Sequence, residues 1–146
     1  RGRRLMARTV ILLGCVQSKL DEPAPAADLF ISPLFRARRA YAEHSRRRWF
    51  VLSSRYGLVR PDQEVAPYDL PMARRPVGER RDWAEQVAGQ LAAELGSLRR
   101  TTFEIHAGSA YVEPLDAELT ARGATVSAPL RGLGLGKSLA WYTSAT

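Results

Sequence analysis

Apolar residues fall along this chain in two rhythms. Short unbroken runs, rich in β-branched or aromatic residues, occur at Thr9 to Gly14, Trp49 to Ser53, Thr102 to Ala107 and Ala124 to Ala128. The first is continuous enough for a strand covered on both faces, the mark of a parallel sheet, and the others read as further strands. Between the runs the spacing changes to three and four. Ser32-Pro33 supplies an N-cap with proline in the first helical position. Leu34, Phe35, Arg38 and Tyr41 then follow at helical spacing, predicting a helix to about His44. A second helix begins near Glu79. It carries Trp83, Val87, Leu91 and Leu95 on one face with Ala84 and Ala88 beside them, so Trp83 reads as a core anchor. A third runs from Ser109 to Arg122, with Tyr111, Leu115 and Leu119 aligned and Gly123 ending it. A short last helix contains Leu139 and Trp141. The alternation of strand and helix predicts one α/β domain, a mostly parallel sheet of four strands or slightly more flanked by helices.

The remaining segments are irregular. Residues 1–8 hold Arg1, Arg3, Arg4 and Arg8 with little apolar content, and read as a flexible basic lead-in to a domain spanning 9–146. Cys15 to Ala27 is polar, contains Pro23 and Pro25, and reads as an extended loop. Ser54 to Gly78 has four prolines, two glycines and no period. A structureless stretch of that length in a small domain is either functional or conceals an element. Ligands of parallel sheets gather at the carboxyl ends of the strands. Four segments qualify here: Gly14 to Asp21, Ser53 to Asp69, His106 to Tyr111, and Pro129 to Lys137.

Composition narrows the function. With 146 residues, 45% hydrophobic and 25% charged, the chain fits one globular core and excludes a large multidomain enzyme. Its longest strongly apolar stretch, Val10 to Val16, falls short of the roughly 20 residues that span a bilayer, and no cleavable secretory signal precedes it. A cytoplasmic location without membrane attachment is expected. The net charge of +7 favours a polyanionic partner, nucleic acid first. Only Lys19 and Lys137 among the 22 basic residues are lysines; guanidinium forks suit phosphates, although a GC-rich genome would produce the same bias. Around the first predicted helix, Arg36, Arg38, Arg39, Arg46, Arg47 and Arg48 form either a solvated face or a phosphate-contacting one. One cysteine forbids an internal disulfide, and two histidines with it do not make a usual zinc site, so neither a metal nor another cofactor is expected.

Three motifs carry polar chemistry. Gly14 to Asp21 places Gln17, Ser18, Lys19 and Asp21 just past a strand end, a cluster suited to a sugar, a phosphate or a base edge. Cys15 is read as a small buried hydrophobe rather than a nucleophile, since no histidine is near in sequence. Gly132-Leu133-Gly134-Leu135-Gly136-Lys137-Ser138 imitates a phosphate loop, but Arg131 stands where the first glycine is required. It is either a packing turn or a place where Lys137 and helix-start amides meet an anion.

The third motif is the most specific. Leu52-Ser53-Ser54-Arg55-Tyr56-Gly57-Leu58-Val59-Arg60-Pro61, followed by Pro67-Tyr68-Asp69-Leu70-Pro71-Met72, resembles the LSxxYGLxxP and PYxLxM signatures of the YaaA-like superfamily. Asp69 stands where YaaA itself has arginine. That departure is similar to a smaller, related bacterial and phage family whose domain is of unknown function. Members of that family also share Cys-x-x-x-Lys-Leu after a strand, Pro-Ala-Pro-Ala, Leu-Phe-x-Ser-Pro-Leu-Phe and a closing Gly-Leu-Gly-x-Gly. The resemblance covers nearly the whole domain. YaaA-like proteins are associated with DNA binding and protection from oxidative stress, and relatives of the smaller family with excision of modified bases in phage defence. What the resemblance implies is a DNA glycosylase-like enzyme.

Cleaving an N-glycosidic bond builds positive charge on the sugar and negative charge on the departing base, and the base must first leave the stack. A site therefore needs a carboxylate at the sugar, donors at the base and an aromatic face to hold it. Asp69 is the first candidate for the carboxylate and Asp21 the second. Tyr56 and Tyr68 are candidates for stacking, or for pinning their loop. Gln17, Ser18, Lys19, Ser53, His106, Ser109, Tyr111 and Lys137 are candidate substrate contacts, with Arg36, Arg39 and Arg55 on the DNA backbone. Water is the expected nucleophile, because neither lysine has an evident means of lowering its pKa. A monomer is favoured. Two alternatives stand beside this reading: a non-catalytic nucleic-acid-binding module, and a hydrolase of free nucleosides or nucleotides.

Overall fold

In a computed structural model that describes residues 7–15 and 19–145, the most apolar run of the sequence forms the central strand. The elements follow in the order β1 (Arg8–Gly14), β2 (Ala24–Pro25), α1 (Ala26–Leu29), α2 (Pro33–Ser45), β3 (Trp49–Ser53), β4 (Gly57–Val59) and β5 (Glu64–Val65). A 3-10 turn (Met72–Arg74) then leads to α3 (Val77–Leu95), β6 (Thr101–His106), α4 (Ser109–Ala121), β7 (Thr125–Ser127) and α5 (Leu135–Ala145). Strands β4-β3-β1-β6-β7 lie side by side in that order, all parallel except β4, which returns antiparallel to β3. The chain is thus a single α/β domain with a mostly parallel five-stranded sheet.

β1 is central because it can be buried on both sides. Val10 and Leu12 join Phe50, Leu52, Phe103 and Ile105 in the core beneath α3 and α4. Ile11 and Leu13 join Val51, Phe35 and Ala42 beneath α2. From β1 the chain steps one way to β3 and then crosses to the other side for β6 and β7. With crossovers of one hand, that reversal sends α2 to one face and α3 and α4 to the opposite face. The point of reversal lies between the carboxyl ends of β1 and β6, where doubly wound sheets open a crevice. Gly14 permits their close approach: a Cβ there would come within 2.5 Å of the Ala107 Cβ.

The helix starts follow from local chemistry. Ser32 accepts the amide of Phe35 at 3.1 Å, and Pro33 occupies the first turn of α2. Trp83 is buried as a core anchor, 1% exposed.

Three expectations change. Arg8 is no part of a flexible lead-in: it starts β1, and its guanidinium donates to Thr101 Oγ1 at 2.9 Å and to the Ser97 carbonyl at 2.7 Å. Residues 1–6 lie outside the described residues. The 15–27 loop contains β2, which pairs with β5, and runs into the start of α1. Inside the 54–78 segment a hairpin carries the chain from β3 into β4. Ser53 Oγ accepts the amides of Arg55 and Tyr56 at 3.2 and 3.0 Å, and Gly57 takes φ +77°. Gln90 of α3 then accepts the Leu58 amide at 2.8 Å. Among the described residues no helix is long and apolar enough to cross a membrane.

Candidate active site

A cavity of about 320 Å³ opens at the carboxyl ends of β1, β3 and β6, at the small end of the roughly 300–1,000 Å³ range of ligand pockets. Cys15 and Lys19 reach it from the segment after β1, and Ser54 from the turn after β3. Tyr68, Asp69, Leu70, Pro71, Met72 and Ala73 supply one wall, and Gly108 to Tyr111 at the start of α4 supply another. Four segments separated in sequence therefore meet at the point where the sheet order reverses.

Part of this lining is a hydrogen-bond chain. Ser53 Oγ donates to Tyr68 Oη at 2.8 Å, and Tyr68 Oη lies 3.2 Å from Cys15 Sγ. Tyr111 Oη approaches the same sulfur at 3.0 Å. Burial pushes the phenols of Tyr68 and Tyr111 above their ordinary value of 10.0, and the nearby Cys15 adds to both shifts. Both stay protonated at neutral pH and present O–H groups. Trp83 backs this wall: its indole N–H donates to the Ser53 carbonyl at 2.8 Å, and its ring meets Tyr111 edge-on at 5.4 Å. Arg38, buried beneath α2, donates to the Gly14 carbonyl at 2.9 Å and so holds the end of β1.

Charge enters from two residues. The Lys19 ammonium sits 5.1 Å from the Tyr68 ring centroid and 6.0 Å from that of Phe30, with Lys19 bridged to Phe30 in an antiparallel pair. The Asp69 side chain is exposed at the cavity wall, open to water. Gly108 caps α4 without a side-chain hydrogen bond, and the first turn of that helix, Ser109 to Tyr111, lines the same space.

Of the residues named from sequence, Lys19, Tyr68, Asp69, Ser109 and Tyr111 come together here. Others do not. Asp21 is exposed and lies outside the lining, because the chain turns at that point toward β2. Ser53 is buried behind Tyr68 and acts on it. Tyr56 packs edge-on against Tyr68 at 5.5 Å and donates to the Ala66 carbonyl at 3.3 Å, so it pins the loop from outside. His106 is fully buried on the opposite face of β6, 2.6 Å from Glu104 Oε2 and 2.7 Å from Tyr142 Oη. It lies outside the cavity lining. Lys137 is exposed on α5, outside the lining. Gln17 and Ser18 lie outside the described residues.

The arginines divide similarly. Arg39 is held by Asp28 and Glu43, which remove it as a free phosphate contact, whereas Arg36 and Arg55 are exposed. Among the described residues no group of three or more His, Cys, Asp or Glu side chains is arranged to hold a metal ion.

Sequence reasoning missed Cys15 as a lining residue and Arg38 as a buried positioning residue. The helical register of Arg38 with Phe35 and Ala42 was the available signal for the latter. No curated protein matches the chain. Residues 10–144 match a family of unknown function (DUF6884), and over that length the chain belongs to this family.

Proposed function

We propose that the cavity receives a nucleobase extruded from DNA and that the chain hydrolyses its N-glycosidic bond. The observation carrying this reading is that Asp69, the Tyr68 ring and the open start of α4 share one cavity at the sheet's reversal point. Each meets a requirement of the reaction. Asp69, open to solvent, activates a water or stabilises the oxocarbenium character that develops on the sugar. Tyr68 supplies an aromatic surface for the base, with Leu70 and Met72 completing an apolar wall. As the bond breaks, negative charge on the departing base meets protonated phenols, the Ser109 hydroxyl, helix-start amides and the Lys19 ammonium. The resemblance of the Leu52 to Met72 stretch to the YaaA-like superfamily supports the same conclusion.

The test incubates the purified chain with single-stranded and duplex oligonucleotides bearing modified cytosines or thymines, followed by alkali. Alkali-labile breaks at the modified position, absent with Asp69→Asn, are the expected result. Retention of DNA without breaks replaces this reading with a binding module, and base release from free nucleosides alone replaces it with a small-molecule hydrolase.

A further inference from the structure

The arginines of this chain are not equally available. Arg47 and Arg48 precede β3 at the amino edge of the sheet and face Glu104 at 4.0 Å and Glu94 at 2.8 Å. Arg60 shares Glu94, Arg131 pairs with Asp116, and Arg38 is buried. Most of the basic stretch around α2, which by sequence is either a solvated or a phosphate-contacting face, is thus paired, buried or on the opposite edge, Arg36 excepted.

Two arginines next in sequence to cavity-lining residues differ. Arg55 follows Ser54, and Arg74 follows Ala73; Ser54 and Ala73 both line the cavity. Arg55 and Arg74 are exposed, and neither has a carboxylate partner among the described residues. Arg55 only rests over the Tyr56 ring at 5.7 Å. Their backbones are tied together, because the Arg75 guanidinium donates to the Ser54 carbonyl at 2.7 Å while Glu79 steadies it from the other side. That bond joins the turn after β3, which carries Arg55, to the 3-10 turn, which carries Arg74.

We propose that a nucleic-acid strand crosses the mouth of the cavity along this join, the phosphates flanking the target nucleotide being held by Arg55 and Arg74. The inference rests on the glycosylase reading and assigns its substrate a path. A nucleotide swung out of a strand remains tethered by a phosphate on each side. A site that takes its base must therefore meet two anions at the rim, and two unpaired guanidinium groups there meet that need. Such contacts carry no sequence information and fix where the strand lies.

The test compares Arg55→Glu/Arg74→Glu with Arg46→Glu/Arg99→Glu. The second pair makes the same charge change at exposed arginines that precede β3 and β6, on the opposite edge. Binding of a fluorescent single-stranded oligonucleotide is followed by anisotropy over a range of salt concentrations, and excision is measured in parallel. The expected result is roughly tenfold weaker binding for the rim pair, a salt slope shallower by about 0.7 for each lost contact, and slower excision, with the opposite-edge pair near wild type. Equal losses in both pairs, or a loss confined to the opposite-edge pair, overturn the path while leaving excision by the wild-type chain in place. Wild-type excision of bases from nucleosides with no oligonucleotide binding overturns the path together with the DNA reading.

Discussion

The hydroxyl of Tyr111 lies 3.0 Å from the sulfur of Cys15, across a sequence separation of 96 residues. One residue directly follows the central strand and the other lies in the first turn of α4, so this contact spans the crevice where the sheet order reverses. Tyr68 completes the arrangement from the segment before α3. The chemistry proposed for the cavity depends on this wall and on Asp69 beside it.

Asp69→Asn keeps the shape of the wall and removes its charge. Base release should fall by roughly 10²–10⁴-fold, the usual size of a general acid–base contribution, with the melting temperature nearly unchanged because the side chain is exposed. A quantitative base-release assay beside a thermal melt checks both halves. Excision at the wild-type rate would remove Asp69 from the reaction.

Tyr68→Phe deletes the oxygen that receives the Ser53 hydroxyl, which is buried. An unsatisfied buried donor costs about 1–3 kcal/mol, and denaturant unfolding should register a loss of that order. Stacking against the ring would survive, so substrate affinity should fall less than turnover.

His106→Phe separates structure from chemistry. Glu104 and Tyr142 lose their common partner, and the chain should be destabilised by about 1–3 kcal/mol. Excision per folded molecule should stay within about twofold of wild type. A specific loss of turnover in a fully folded variant would restore His106 to the site.

Glu104 gives stability a pH dependence. The hydrogen bond from His106 holds its carboxyl below the ordinary value of 4.5, against the opposing effect of burial, with Tyr41 and Arg47 assisting His106. A carboxylate whose pKa is lower in the folded chain binds fewer protons there than when unfolded. Its stabilisation is therefore complete above 4.5 and disappears as pH falls through the folded value. Urea unfolding of Glu104→Gln should show lower stability than wild type at neutral pH and a gap that narrows below 4.5. A gap that widened on acidification would contradict the assignment.

Gly57→Ala tests the hairpin that sets Ser53 and Tyr68 in place. At φ +77° a Cβ costs roughly 1–2 kcal/mol, and it would also come within 2.4 Å of Gln90 Oε1, the acceptor of the Leu58 amide. Thermal unfolding should occur several degrees lower, with excision reduced as the turn after β3 shifts.

Much of the scaffold was legible in residue order. The runs at Thr9, Trp49, Thr102 and Ala124 became β1, β3, β6 and β7, and the stripe through Trp83 became α3, since strand and helix periods are local consequences of which side chains must be buried. β4 escaped because three residues are too few to show a period, and its pairing with β3 depends on a turn made by Ser53 and Gly57 and on a cap from Gln90, 32 residues away. β2 and β5 are shorter still and exist only by pairing with each other.

The sequence by itself determined the fold class, the carboxyl-end segments and the residue types available for chemistry, because all of these follow from burial patterns and composition along a connected stretch. Only the tertiary structure decided which polar groups meet. Asp69 and Asp21 are equivalent as letters in two loops, yet one lines the cavity and the other faces solvent elsewhere. Arg39 and Arg74 carry the same charge, yet Asp28 and Glu43 neutralise only the first. His106 ends a strand, the position from which catalytic residues of parallel sheets act, and the alternation of the pleat turns it into the core on the far face. Contacts between distant residues depend on crossover direction, pleat and packing, and a one-dimensional pattern does not encode those except through the folded chain.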